Sequence, residues 1–278
     1  MHISFLDPYR PRSSPIHALD GRVKFLLTVA FILAVSLTPA AAWPIYILLF
    51  ALILSIEILS DLGIGYVLKR ALLALPFVLA AFPIIFMPGQ TFMFSFSIGP
   101  WLLSAHAEGL ARFVSIALKS WLSLQAAIVM AASTPFPDLL QAMRAVGIPR
   151  LLVNMFGMMW RYLFVLVDEA LRLMRARAAR SGRVDRPVDQ PLAQRKLLGR
   201  EGGSLLWRAR LTGGMAGNLF LRAFERSDRI YVAMLSRGYD GEARSIALPP
   251  MTAATWTELL AGLALLAVLL ISGIVFWG

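Results

Sequence analysis

Two arginines stand where a guanidinium can grip a partner. Ala179-Arg180-Ser181 runs into Gly182, and Ser236-Arg237-Gly238 closes a second apolar run. In both, the pattern predicts an Arg in the last turn of a long helix, beside small residues and a helix stop. A plain helix end would use the same residues, because Arg suits the negative pole and Gly the left-handed position that follows. Small flanks, however, also let the planar fork reach into a groove and take carboxylates or carbonyls two at a time. Ala176-Arg177-Ala178 offers a competing frame for the first arginine.

Other chemistry is sparse. There is no Cys and there are three His, namely His2, His17 and His106, widely spaced. No metal site is therefore read in this chain. No G-x-x-x-x-G-K-[ST] run is present, so no phosphate-cradling loop is expected and ATP is not bound here. Three charges fall within apolar stretches: Glu57, Arg112 and Lys119. Intramembrane charges are functional candidates by default. A Glu57–Lys119 pair, or contact of Lys119 with another subunit, would be their use; the bland alternatives are an interfacial Glu57 and an Arg112 that snorkels outward.

The elements that must position these residues follow from composition. The 278 residues are 58% hydrophobic and only 15% charged, with a net charge of +11 from 27 Lys+Arg against 16 Asp+Glu. A soluble domain of this length could not hide so much apolar surface. Five segments approach the ~20 apolar residues that cross a bilayer: about Val23–Thr38, Trp43–Leu59, Arg70–Met87 with Pro76 and Pro83, Leu110–Ala132, and Thr252–Trp277. The first 22 residues hold no apolar core, so the first span is expected to direct insertion.

Lysine and arginine set the orientation. Four lie in the tail up to Lys24, none in 39–42, Lys69-Arg70 end the next loop, none lies in 88–108, and residues 133–250 hold 19 against 10 acids. The positive-inside rule then predicts a cytoplasmic N-terminus and an outer C-terminus. Leu151–Val167 is apolar enough to pass for a sixth span. Crossing there would export the arginine run that follows, so it reads as the start of a long helix lying on the membrane face.

The expected architecture is an all-α integral membrane protein: spans one to four with a cytoplasmic tail over 1–132, a helical cytoplasmic domain over 133–250, and span five over 251–278. Within the middle block, Thr134 is expected to cap a short helix reaching Ala145, with Asp138 in its first turn. A helix should run from Arg150 to Arg180, and another from about Met215 to Arg237, with Glu225 and Arg229 spaced for an i, i+4 pair. Val184–Gly203, rich in Pro and Gly, reads as the least ordered stretch. Phe92, Phe94 and Phe96 alternate with Met93, Ser95 and Ser97 before Gly99-Pro100, which predicts a short strand pair or an extended outer loop.

Longer stretches carry a family likeness. Ser14-Pro15-Ile16-His17-Ala18-Leu19-Asp20-Gly21-Arg22-Val23-Lys24 resembles the opening of the transmembrane (T) components of energy-coupling-factor (ECF) ABC transporters. Tyr231-Val232-Ala233-Met234-Leu235-Ser236-Arg237-Gly238-Tyr239-Asp240-Gly241 resembles their second coupling motif, and Ala179-Arg180-Ser181 the first, where Gly is more usual at the position of Ser181. The likeness spans essentially the whole chain and is closest to the cobalt branch, the CbiQ family.

The resemblance implies a scaffold and coupling subunit with no catalytic site of its own. Two ATP-binding-cassette ATPase subunits would receive the coupling helices, with ATP and Mg bound in those partners. A substrate-binding membrane (S) subunit would capture cobalt, the lipid bilayer would surround the spans, and no nucleic acid is involved. A T component for nickel or another ECF substrate is the alternative, then a stand-alone membrane channel or carrier.

Overall fold

A computed structural model describes residues 8–40, 42–86, 92–98, 101–180, 205–241 and 251–277. The protein is an all-α membrane protein apart from one hairpin. It divides into two compact units, residues 1–148 with 247–278, and residues 149–246. Among the described residues, four helices are long and apolar enough to cross a membrane, namely Ile64–Phe86, Ala107–Ser133, Arg150–Arg177 and Ala253–Trp277; Trp43–Leu59 is a shorter apolar helix.

The first unit opens with α1 (Pro15–Ala18), capped by Ser14, whose Oγ accepts from His17 N–H at 3.3 Å. Asp20 caps α2 (Gly21–Leu37) in the same way, taking Arg22 N–H at 2.9 Å. A tight turn leads to α3 (Trp43–Leu59), which matches the expected second span. The third span is not one smooth rod. It starts early, as α4 (Ile64–Ala71), passes through a 3-10 turn at Leu72–Ala74 into α5 (Leu75–Ala80), and ends in a 3-10 turn at Phe82–Phe86. Pro76 and Pro83 lie within this broken stretch, and each removes a backbone donor that a continuous ladder needs.

Of the two forms expected for the Phe92–Leu103 segment, the strand pair is the one present. β1 (Phe92–Ile98) runs antiparallel to β2 (Trp101–His106), with Ile98 opposite Trp101. From it the chain enters α6 (Ala107–Ser133), then α7 (Phe136–Ala145). Thr134 does not cap α7. Pro135 occupies the cap position, its carbonyl accepting from Asp138 N–H at 3.0 Å and Leu139 N–H at 3.1 Å. Thr134 instead ends α6, and its buried Oγ1 has no partner among the described residues. The last helix, α10 (Ala253–Trp277), closes the unit.

Helix α2 packs against α6, α7 and α10. Its core cluster joins Phe31 and Val35 of α2, Ile45, Leu49 and Ile53 of α3, Leu122 and Ala126 of α6, and Leu266 of α10. At Gly262 a Cβ would lie 2.6 Å from Leu27 Cδ2, so a larger residue there would have to displace the Leu27 side chain of α2. Buried apolar positions occupy one side of each helix while Leu33, Ile47, Leu73, Leu79, Val268 and Val275 are exposed. Hydrocarbon is the solvent that tolerates that exposure.

In the second unit α8 runs from Arg150 to Arg180 and α9 from Leu205 to Leu235. Helix α8 is described through Arg180, and the stop that the sequence predicts after it lies outside the described residues. The start of α9 is ten residues earlier than Met215, because the helix continues through Gly213, Gly214 and Gly217; a Cβ at each would meet nothing within 4 Å, so packing does not oppose it. Ser181, Gly182 and the stretch Val184–Gly203 lie outside the described residues.

Candidate functional site

The second arginine motif sits on a fully formed helix terminus. Gly238 has φ +77°, a conformation an L side chain adopts only at a cost. Its N–H donates to Leu235 O at 3.0 Å, and Tyr239 N–H reaches back to Met234 O, also at 3.0 Å. Those two bonds are the Schellman pattern, which satisfies carbonyls that the helix itself leaves unpaired. Ser236 Oγ donates to Ala233 O at 2.9 Å, and Tyr239 OH to Gly241 O at 3.0 Å. Ser236, Arg237 and Gly238 are all exposed. The arginine is thus carried outward on a rigid cap. Gly147, at φ +94°, ends α7 with the same pair of bonds, from Gly147 N–H to Arg144 O and from Ile148 N–H to Met143 O.

The first motif lies on α8, in the last turn that is described. Ala179 is exposed and Arg180 is the last described residue of the helix, whereas Ser181 is outside the described residues. The competing Arg177 lies in the same turn and is half-buried.

The two helices run antiparallel. Asn154 Nδ2, near the start of α8, donates to Gly241 O, just past the end of α9, at 3.3 Å. Further along, Glu169 of α8 accepts from Arg222 at 3.4 Å and faces Arg226 at 3.8 Å. Leu211, Met215, Leu219, Ala223, Arg226, Ile230 and Met234 form the half-buried stripe of α9, at steps of three and four. The acid that the α9 arginines engage is therefore Glu169 and not Glu225. Arg226 itself belongs to the half-buried stripe. An acid on α8 and an Arg pair at i, i+4 on α9 were visible signals, but their facing one another was not. The cleft beside this clamp is lined by Val165, Asp168, Arg172, Leu173 and Ala176 together with the clamp itself.

One consequence is geometric. Arg237 stands near the level of Asn154, and Arg180 lies 26 residues further along α8. At 1.5 Å per residue the two arginines are about 35–40 Å apart along the helix axis. The structure does not gather them into one site; it places them at opposite ends of a helix pair.

The charges within the spans are likewise kept apart. Lys119 Nζ donates to Ser36 O at 2.8 Å, one of the last carbonyls of α2. Close by, Ser115 Oγ donates to Ala40 O at 2.7 Å, and Tyr46 OH to Pro39 O at 3.2 Å. Lys119 therefore caps the end of α2 where that helix turns into α3. Glu57 is eleven residues beyond Tyr46 along α3, about 16 Å away by helix rise, which explains why the two do not pair. Glu57 is 1% exposed, and neither carboxyl oxygen has a hydrogen-bond partner among the described residues. Arg112 is exposed and pairs loosely with Glu108 one turn earlier, at 4.0 Å. Among the described residues, no group of three or more His, Cys, Asp or Glu is placed to hold a metal ion.

Residues 12–247 match the protein family described as cobalt transport protein, CbiQ. The chain belongs to the CbiQ family. The matched region includes the Ser14–Lys24 opening and both arginine-ended helices. An energy-coupling factor transporter transmembrane protein, EcfT, of Lactococcus lactis subsp. cremoris is 27% identical over 246 residues, 84% of this chain and 83% of that protein. A cobalt transport protein, CbiQ, of Salmonella typhimurium is 31% identical over 93 residues, 34% of this chain and 41% of its own. An uncharacterised protein of Methanocaldococcus jannaschii is 25% identical over 247 residues, 87% of this chain and 77% of that one.

Proposed function

We propose that this chain is the transmembrane coupling subunit of an energy-coupling-factor transporter for cobalt. Movements of two ATP-binding-cassette ATPases pass through Arg180 and Arg237 to a substrate-binding membrane subunit. The observation that carries the reading is the antiparallel α8–α9 pair, which ends in an arginine at each pole, about 35–40 Å apart. Such a spacing suits two separate grooves, one on each of two ATPases, better than a single binding site. The chain itself hydrolyses nothing on this reading; ATP and Mg reside in the partners and cobalt in the substrate subunit.

Five spans and a cytoplasmic block over 133–250 complete the proposal. The basic residues around α8 and α9 keep that block inside, although Arg150–Arg177 meets the length and composition of a span. The N-terminus is cytoplasmic and the C-terminus outside.

The test is affinity purification of the tagged chain with its partner subunits. Arg180→Glu and Arg237→Glu should each weaken ATPase co-elution, and together abolish it. ATPase association that survives the double reversal would sink the assignment of these motifs. Transport by the chain alone in liposomes would favour a stand-alone channel or carrier. Uptake of cobalt against nickel by the whole complex distinguishes the two metals.

A further inference from the structure

The Ser14–Lys24 stretch marks the family likeness, but the coupling role gives it nothing to do. Contacts from this stretch and from Arg10 just before it reach the end of α6, where the chain turns into α7. A helix terminus leaves its last four carbonyls without intrahelical donors. Here residues from more than a hundred positions upstream supply them. Arg10 N–H donates to Ala132 O at 2.9 Å, and Lys24 Nζ to Ser133 O at 3.1 Å.

The upstream segment is itself tied into a loop. Lys24 Nζ also lies 3.4 Å from His17 O, and His17 Nε2 lies 3.0 Å from Arg10 O. A carbonyl only accepts, so Nε2 carries the proton, and in the neutral ring Nδ1 accepts from Ser14 Oγ at 2.7 Å. The Arg10 guanidinium covers the Tyr66 ring of α4 at 3.7 Å, and that of Arg70 lies 4.4 Å from the same ring. At Gly21 a Cβ would lie 3.6 Å from Asp138 O and 3.7 Å from Thr134 Cγ2, which places the start of α2 against the start of α7.

We propose that Arg10, His17 and Lys24 form a clasp that holds the α6–α7 joint to α2, so that a displacement of α7 moves the α2–α6 pair as one body, with Lys24 as the positioning residue. The same pair is tied at its other end by Lys119 to Ser36 O at 2.8 Å, so each helix contributes a lysine to the other's terminal carbonyls. Helix α7 is the last element before the second compact unit begins at Pro149. A loose joint there would dissipate movement that a tied one transmits. The inference rests on the coupling role proposed above.

The experiment uses the full complex, with ATPases and substrate subunit, in liposomes. Lys24→Met should leave ATPase activity within about twofold of wild type and lower transport per ATP by about tenfold, the population change expected for one lost charge-assisted hydrogen bond. Lys24→Arg should restore the ratio, since a guanidinium can reach the same carbonyls. A normal ratio in Lys24→Met, or a loss that Lys24→Arg does not repair, overturns the clasp. If Lys24→Met does not assemble, His17→Ala, which removes the Nε2 bond to Arg10 O, is read by the same transport-to-ATP ratio.

A second measurement needs no partners. The chain has no cysteine, so Arg12→Cys and Ala145→Cys, both at exposed positions, take a single spin-label pair. Their distance distribution should be narrow in the parent, broad with Lys24→Met and narrow again with Lys24→Arg. A distribution that stays narrow with Lys24→Met refutes the clasp. Wild-type chain that binds no ATPase would refute the coupling role and leave the clasp to the spin-label result.

Discussion

Replacing Gly238 by Ala isolates the backbone's part in presenting Arg237. The added methyl meets nothing within 4 Å, so no clash contributes, and the only cost is holding an L residue at φ +77°. That cost is about 1–2 kcal/mol. The alternative is to open the cap, giving up the Gly238-to-Leu235 and Tyr239-to-Met234 bonds, each 3.0 Å and worth about 0.5–1.5 kcal/mol. Either way the arginine-presenting conformation becomes less populated by up to about 1–2 kcal/mol. If only that conformation enters the ATPase groove, the apparent Kd rises by up to about 5- to 30-fold. The measurement is titration of purified partner ATPases onto the chain in nanodiscs. Gly238→Asn should lose much less, because Asn tolerates the left-handed region. Tight binding by the Ala variant would refute the argument. So would equal losses for Ala and Asn, which would point to the missing Cβ space and not to the backbone.

Other perturbations read other parts of the structure. Lys119→Met removes the donor to Ser36 O and should lower stability by about 1.5 kcal/mol, at the low end for a charged donor because Lys119 is only half-buried, while ATPase binding is kept; thermal unfolding in detergent checks it. Gly109→Ala would put a Cβ 2.6 Å from Ile85 O and 2.9 Å from Ile84 O, both backbone, so a loss of about 2–3 kcal/mol is expected in the same assay. Glu169→Gln releases Arg222 and Arg226, yet Arg222 is exposed and Arg226 only half-buried, so stability should change by less than about 1 kcal/mol and the change should shrink in high salt. Single cysteines at Arg12, His106 and Arg237 should be labelled by an impermeant thiol reagent from outside only at 106; labelling at 237 from outside would reverse the proposed topology.

Features set by local physics were legible without coordinates. Apolar length located α3, α6 and α10, the alternating run Phe92–Ser97 located β1, and Gly147 and Gly238 located the ends of α7 and α9. The motif around Arg237 was legible for the same reason, since a helix terminus is written in four or five consecutive residues. Pro76 and Pro83 are visible in the sequence, but the break of the third span into 3-10 turns around them is not.

Tertiary structure decided the remainder, because its partners lie far apart in the chain. Lys119 looked like a functional charge until its acceptor proved to be Ser36, 83 residues away, and Lys24 looked like a topology marker until it met Ser133, 109 residues away. Neither acceptor has a sequence signature: each is a backbone carbonyl exposed only because its helix stops there and packs against a neighbour. The separation of Arg180 from Arg237 is of the same kind. Residue types in the sequence determined that two helices end in arginine; only the antiparallel packing of α8 on α9, held by Glu169, put those ends at opposite poles.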